Sequence, residues 1–204
     1  MIKSTYINLI QEYGVELSSS ETLWKEIRTN YSQRKRYYHN IEHLEDLLDQ
    51  LTSVKQEIKK WNVILFTLFY HDIVYKSTKK DNEEQSAILA SNRMNEIGVS
   101  KKDIKHSYAQ IIATKSHKEN IDPDTNYFTD ADLSILGRAP KVYQNYCHKI
   151  REEYSIYPKF LYNKGRKKVI NHFLSMNRIF KTQEFYNKFE KQAKHNLNQE
   201  LKTL

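Results

Sequence analysis

The chain has 204 residues, 33 Lys and Arg against 25 Asp and Glu for a net charge of +8, four Gly, three Pro and one Cys. That length suits one domain, so few turn residues argue against an all-β sandwich, and the lone Cys147 excludes an intramolecular disulfide and fits a reducing compartment. No apolar run approaches a membrane span and MIKSTYINLI lacks a signal-peptide core, so a cytoplasmic protein with no membrane partner is expected. The positive charge fits a phosphorylated ligand. Because basic residues are spread along the chain, with small clusters only at 34–36 and 164–168, a solvated Lys-rich surface is preferred to a nucleic-acid face.

Taken in order, the chain predicts a short helix near Thr5 to Tyr13 and a second one capped by Ser20, with Leu23, Trp24, Ile27 and Tyr31 facing inward. A third runs from about Asn40 to Val54, burying Ile41, Leu44, Leu47, Leu48 and Leu51 with His43 among them. After a turn near Lys55 to Glu57 comes LFTLFYHD. Trp61, Ile64, Leu65, Leu68 and Phe69 fall at helical spacing, and Ile64 to Phe66 make the segment apolar all round, so it is expected to be a central helix. A polar loop at 76–80 precedes a helix that Asp81 caps and Gly98 closes. The next helix spans Asp103 to about His117, and Asp122-Pro123-Asp124 reads as a turn. Three helices complete the chain, at about Ala139 to Tyr154, Pro158 to Met176 and Gln183 to Leu201. The expected fold is all-α, one domain over 1–204, with N-terminal helices at 1–35, a core at 36–136 and C-terminal helices at 137–204.

The central helix ends in adjacent His71 and Asp72. An apolar helix delivering an imidazole and a carboxylate at its end is a way to hold a metal ion in a helical core. Upstream, His39 and His43 are four residues apart, a spacing that on a helix places both imidazoles on one face. Twenty-eight residues separate His43 from His71, enough for an antiparallel return that brings them together. Downstream, Asp130 and Asp132 cannot share one helical face. Together the nitrogen and oxygen donors suit Zn, Mn, Fe, Ni or Mg.

The order His43, His71-Asp72, Asp132 resembles the metal signature of the HD superfamily of metal-dependent phosphohydrolases. Tyr38 to His43, YHNIEH, resembles the YHNxxH motif of cyclic-nucleotide phosphodiesterases, and AlaAspLeuSer at 131–134 is similar to their segment. The pieces RYYHNIEH, FYHDIVY, DNEEQSA, TDADLSILG, IREEY and GRKKVINHFL resemble a small bacterial group of HD phosphohydrolases from about Arg36 to Leu201. The resemblance implies an HD-type bundle with a metal site in its core, one or two ions, and His43, His71, Asp72 and Asp132 as ligands, leaving Asp130 as a helix cap. It also implies His39 as the acid that protonates a leaving oxygen, Glu83 near bound water or a ligand histidine, and His117 lining the site. Glu83 in a helix's first turn also satisfies the macrodipole without any function. Arg36, beside the histidine motif, is the arginine best placed to hold a phosphate.

The reaction so implied is hydrolysis of a small phosphorylated substrate, a nucleotide among others, by metal-activated water. Three alternatives are an inactive nucleotide-sensing HD protein, an iron-dependent HD-type oxygenase or lyase, and a structural role in which the histidines only pack or cap. Sequence leaves the substrate, the metal and a homodimeric state open.

Overall fold

Long helix-forming segments punctuated by few glycines give ten α-helices, two short 3-10 helices and no strand. The computed structural model describes all residues from Met1 to Leu204, and the all-α expectation holds. No helix is long and apolar enough to cross a membrane. The residues group into two units, Met1–Thr129 and Asp130–Leu204.

The first unit contains α1 (Ile2–Gln11), α2 (Leu17–Tyr31), α3 (Ile41–Thr52), a 3-10 turn (Lys55–Glu57), α4 (Trp61–Tyr70), α5 (Asn82–Glu96), α6 (Lys101–Ala113) and most of α7 (Pro123–Leu133). Every residue of α4 from Val63 to Tyr70 is buried, so the apolar run is the element on which α1, α3, α5 and α6 pack. Burying each such aliphatic or aromatic side chain stabilises the fold by about 1.5–3 kcal/mol before entropy is counted. The Tyr6 and Tyr70 hydroxyls bond each other at 2.8 Å in this core, and Phe69 meets Tyr6 edge-on with centroids 4.8 Å apart.

Several local expectations change. Ser20 lies inside α2, where its hydroxyl bonds the Glu16 carbonyl at 3.0 Å, and Glu16 holds the cap position. A hydroxyl can satisfy the preceding turn from within a helix as readily as it caps one. Asp81 precedes α5 without a side-chain capping bond, while Gly98 closes that helix at φ +82° as expected. The segment that begins α6 is capped by Ser100, which accepts from the Asp103 N–H. Asp122-Pro123-Asp124 opens a helix: Asp122 accepts from Thr125 N–H at 3.0 Å, and Pro123 takes the first helical position, where its missing N–H costs nothing. Asp124, fully buried, receives the Lys59 and Lys60 N–H groups at 3.0 and 2.8 Å. A carboxylate from another helix therefore caps the start of α4.

The second unit contains the end of α7, a 3-10 turn (Ser134–Gly137), α8 (Pro140–Glu153), α9 (Lys159–Leu174) and α10 (Gln183–Thr203). Its order depends on buried polar anchors. Asp130 is inside α7 and accepts from Lys181 N–H, Thr182 N–H and the Thr182 hydroxyl, so it caps α10 rather than its own helix. Glu190 receives the Ile179 and Phe180 N–H groups, and Asn196 donates to the Leu136 and Arg138 carbonyls. Arg166 forks onto Glu200 at 2.8 and 2.9 Å, with Tyr143 also donating to that carboxylate. Cys147 adjoins this cluster, and burial, then the Glu200 charge, pushes its thiol up to about 12. At neutral pH it is an inert thiol.

Candidate metal centre

Asn40 decides where α3 begins. Its side-chain oxygen accepts from the His43 N–H at 3.3 Å, so the helix starts at Ile41 and His43 occupies the third helical position, turned inward and 5% exposed. The same cap leaves His39 outside the helix. His39 and His43 therefore do not stack one turn apart on one helical face, although their rings come within 5.9 Å.

His71 caps the C-terminal end of α4, its N–H still bonded to the Thr67 carbonyl at 2.9 Å. Its Nδ1 lies 2.9 Å from the Leu68 carbonyl. A carbonyl only accepts, so Nδ1 carries the proton and Nε2 presents a lone pair, the tautomer a metal-ligating histidine uses. That Nε2 is 3.2 Å from His43 Nε2 and 3.2 Å from Asp72 Oδ2. Two nitrogens 3.2 Å apart subtend about 100° at an ion about 2.1 Å from each, close to tetrahedral or octahedral demands. The Phe128 ring packs edge-on against His71, centroids 5.5 Å apart.

His43, His71 and Asp132 offer ligand atoms that all lie within 4.8 Å of one another. Two nitrogens and a carboxylate oxygen placed this close together make a donor set that fits a divalent ion. Asp72 adjoins that set: its Oδ2 lies 3.2 Å from His71 Nε2 and 3.9 Å from His39 Nε2. Burial separates the roles. His71 is 1% exposed, whereas the side chains of His39 and Asp72 are 19% and 18% exposed.

The other expected site residues are placed differently. Arg36 is buried and gives its guanidinium to main-chain carbonyls: Nη1 to Asp72 at 2.6 Å and His39 at 3.3 Å, Nη2 to Ile73 at 2.7 Å. Glu83 is in the first turn of α5, where Lys115 feels its charge. His117 lies beyond α6 in the left-handed region at φ +52° rather than closing that helix's last turn, with its N–H on the Ala113 carbonyl. Neither residue belongs to the converging ligand set.

Sequence reading missed four contributors. Tyr75 stacks on His39 with centroids 4.2 Å apart at 28°, Tyr31 accepts the Asp72 N–H through its hydroxyl at 3.2 Å, and the Leu68 carbonyl sets the His71 tautomer. Asn40 is the fourth, and it alone had a sequence signal, an Asn three residues before an inward-facing position at a helix start. The chain matches no protein-family model, no curated protein and no solved structure.

Proposed function

We propose that the protein is a metal-dependent phosphohydrolase acting on a small phosphorylated metabolite such as a nucleotide. The observation that carries this reading is the convergence of His43, His71 and Asp132 next to a second pair of proton-carrying groups, His39 and Asp72, 3.9 Å apart. A divalent ion held by His43, His71 and Asp132 supplies Lewis acidity toward a phosphoryl oxygen and toward water. Asp72 is the carboxylate at hand to take the proton of an attacking water. His39, with an imidazole suited to proton transfer near neutral pH, gives a proton to the leaving oxygen. The two proton carriers reach solvent while the nitrogen ligands do not, which admits substrate without exposing the ion's anchors.

The test is a phosphoester screen on protein reconstituted with each candidate ion, comparing wild type with His39→Ala. The expected result is hydrolysis by wild type and a loss of roughly 100-fold or more in the variant, the usual contribution of a general acid, with metal content unchanged. An unaltered rate in His39→Ala removes the acid assignment. A nucleotide recovered intact from metal-loaded wild type favours the sensing alternative, and oxygen uptake with iron favours the oxygenase.

A further inference from the structure

Arg36 is 7% exposed, and its guanidinium carbon lies over two rings, 4.9 Å from the Tyr31 centroid and 5.6 Å from the Tyr75 centroid. Its bonds reach two separate stretches of main chain. One is the carbonyl of His39, before α3; the others are the carbonyls of Asp72 and Ile73, after α4. On the second stretch, Tyr31 holds the N–H of Asp72 while Arg36 holds its carbonyl, so both peptide groups flanking the Asp72 side chain are fixed from outside. Ser86 then takes the N–H of Val74 at 3.1 Å, and Asn82 pairs with both the N–H and the carbonyl of Lys76 at 3.1 and 3.0 Å. Tyr75, held in that anchored run, is the face on which the His39 ring lies.

A phosphate entering this fork must displace carbonyls from a buried cation, and a buried charge stripped of its hydrogen bonds is costly. We infer that Arg36 is a positioning residue rather than a phosphate contact: it sets where His39 and Asp72 stand beside the His43–His71 pair, with Tyr75 as the surface that orients the His39 ring. The inference rests on the phosphohydrolase reading only for the roles it gives His39 and Asp72. The placement itself rests on the bonds above. Planarity is what makes arginine suitable, because one rigid fork spans three carbonyls on two segments, and a lysine ammonium has no such shape.

The experiment compares wild type with Arg36→Met, Arg36→Lys and Tyr75→Leu, all as full chains. It reads the side-chain NMR resonances of His39 in metal-free protein and the Zn(II) dissociation constant, with the resonances of His106 and His172 as markers of intact folding. Arg36→Met is expected to move the His39 resonances and weaken Zn(II) about tenfold or more, the scale of lost outer-shell support. Arg36→Lys is expected to recover part of both. Tyr75→Leu, which keeps the Arg36 bonds, is expected to move the His39 resonances alone. If Arg36→Met lowers the melting temperature while His39 resonances stay in place and Zn(II) affinity stays within twofold, Arg36 only stabilises the fold and the inference is overturned. Should Arg36→Met not fold, Arg36→Lys and Tyr75→Leu decide by the same two readouts. Wild type that binds Zn(II) but hydrolyses no phosphoester defeats the functional reading alone, because neither readout requires turnover.

Discussion

One proton on Nδ1 of His71, held by the Leu68 carbonyl, determines that Nε2 faces His43 as a ligand rather than a donor. Comparable small devices place the other groups. Asn40→Ala removes the acceptor for the His43 N–H and is expected to cost about 1 kcal/mol in urea denaturation. Because His43 is that cap's partner, the variant is also expected to bind Zn(II) more weakly than wild type, and unchanged affinity would show that the cap does not position the ligand. Gly137 illustrates the same dependence away from the site. A Cβ there would lie 2.5 Å from Phe189 Cβ and 2.8 Å from its Cα, a clash that backbone must absorb. Gly137→Ala should lose about 1–3 kcal/mol, and a melting temperature equal to wild type would contradict that packing.

At the scale of elements, helices were legible wherever periodicity spoke for itself. The apolar run of α4, the inward leucines of α3 and the extents of α8, α9 and α10 follow from spacing, although Val142 and Val169, which spacing puts on the apolar faces of α8 and α9, are exposed. Starts were less legible, because the groups that end or begin a helix need not be neighbours in sequence. Asp124 caps α4 from across the unit, and no local pattern announces this. Asp124→Ala leaves the Lys59 and Lys60 N–H groups without that acceptor and is expected to destabilise by about 1 kcal/mol, measurable by denaturant titration. The anchor between α9 and α10 makes a pH prediction. Burial alone raises the Glu200 carboxyl, but hydrogen bonds and charge from Arg166, with the Tyr143 hydroxyl, outweigh it and hold the group below its ordinary value. The folded value being depressed, Glu200 contributes stability above the ordinary carboxylate range, and that contribution is lost as pH falls through the lowered folded value. Glu200→Gln should therefore be less stable than wild type at neutral pH and lose less on acidification. Urea midpoints measured across that range check both signs, and parallel curves for the two proteins would refute the assignment.

For the molecule as a whole, the histidine pair was legible because its helices had to return antiparallel, which the 28-residue separation permits. What sequence did not disclose was the division of labour around it. Periodicity reports which side chains are buried, but main-chain bonding depends on where distant segments meet. Arg36 thus looked like a phosphate ligand, and proves to bond carbonyls. Asp72, expected from its place after His71 to join the ligands, has its carboxylate 3.2 Å from His71 Nε2 and also faces His39. A bound ion should also stabilise the folded chain by linkage, about 2.7 kcal/mol at a concentration 100 times its dissociation constant, so the melting temperature should rise with added metal.

A metal-dependent function requires that His43, His71 and Asp132 hold an ion. Its most direct test is elemental analysis of purified wild type and of His71→Ala, each after reconstitution with Mn, Zn, Fe, Ni or Mg and removal of excess. Near-stoichiometric divalent metal is expected in wild type, and its loss in the variant. Wild type that retains none of the five ions, or a His71→Ala protein that retains as much as wild type, would contradict that expectation.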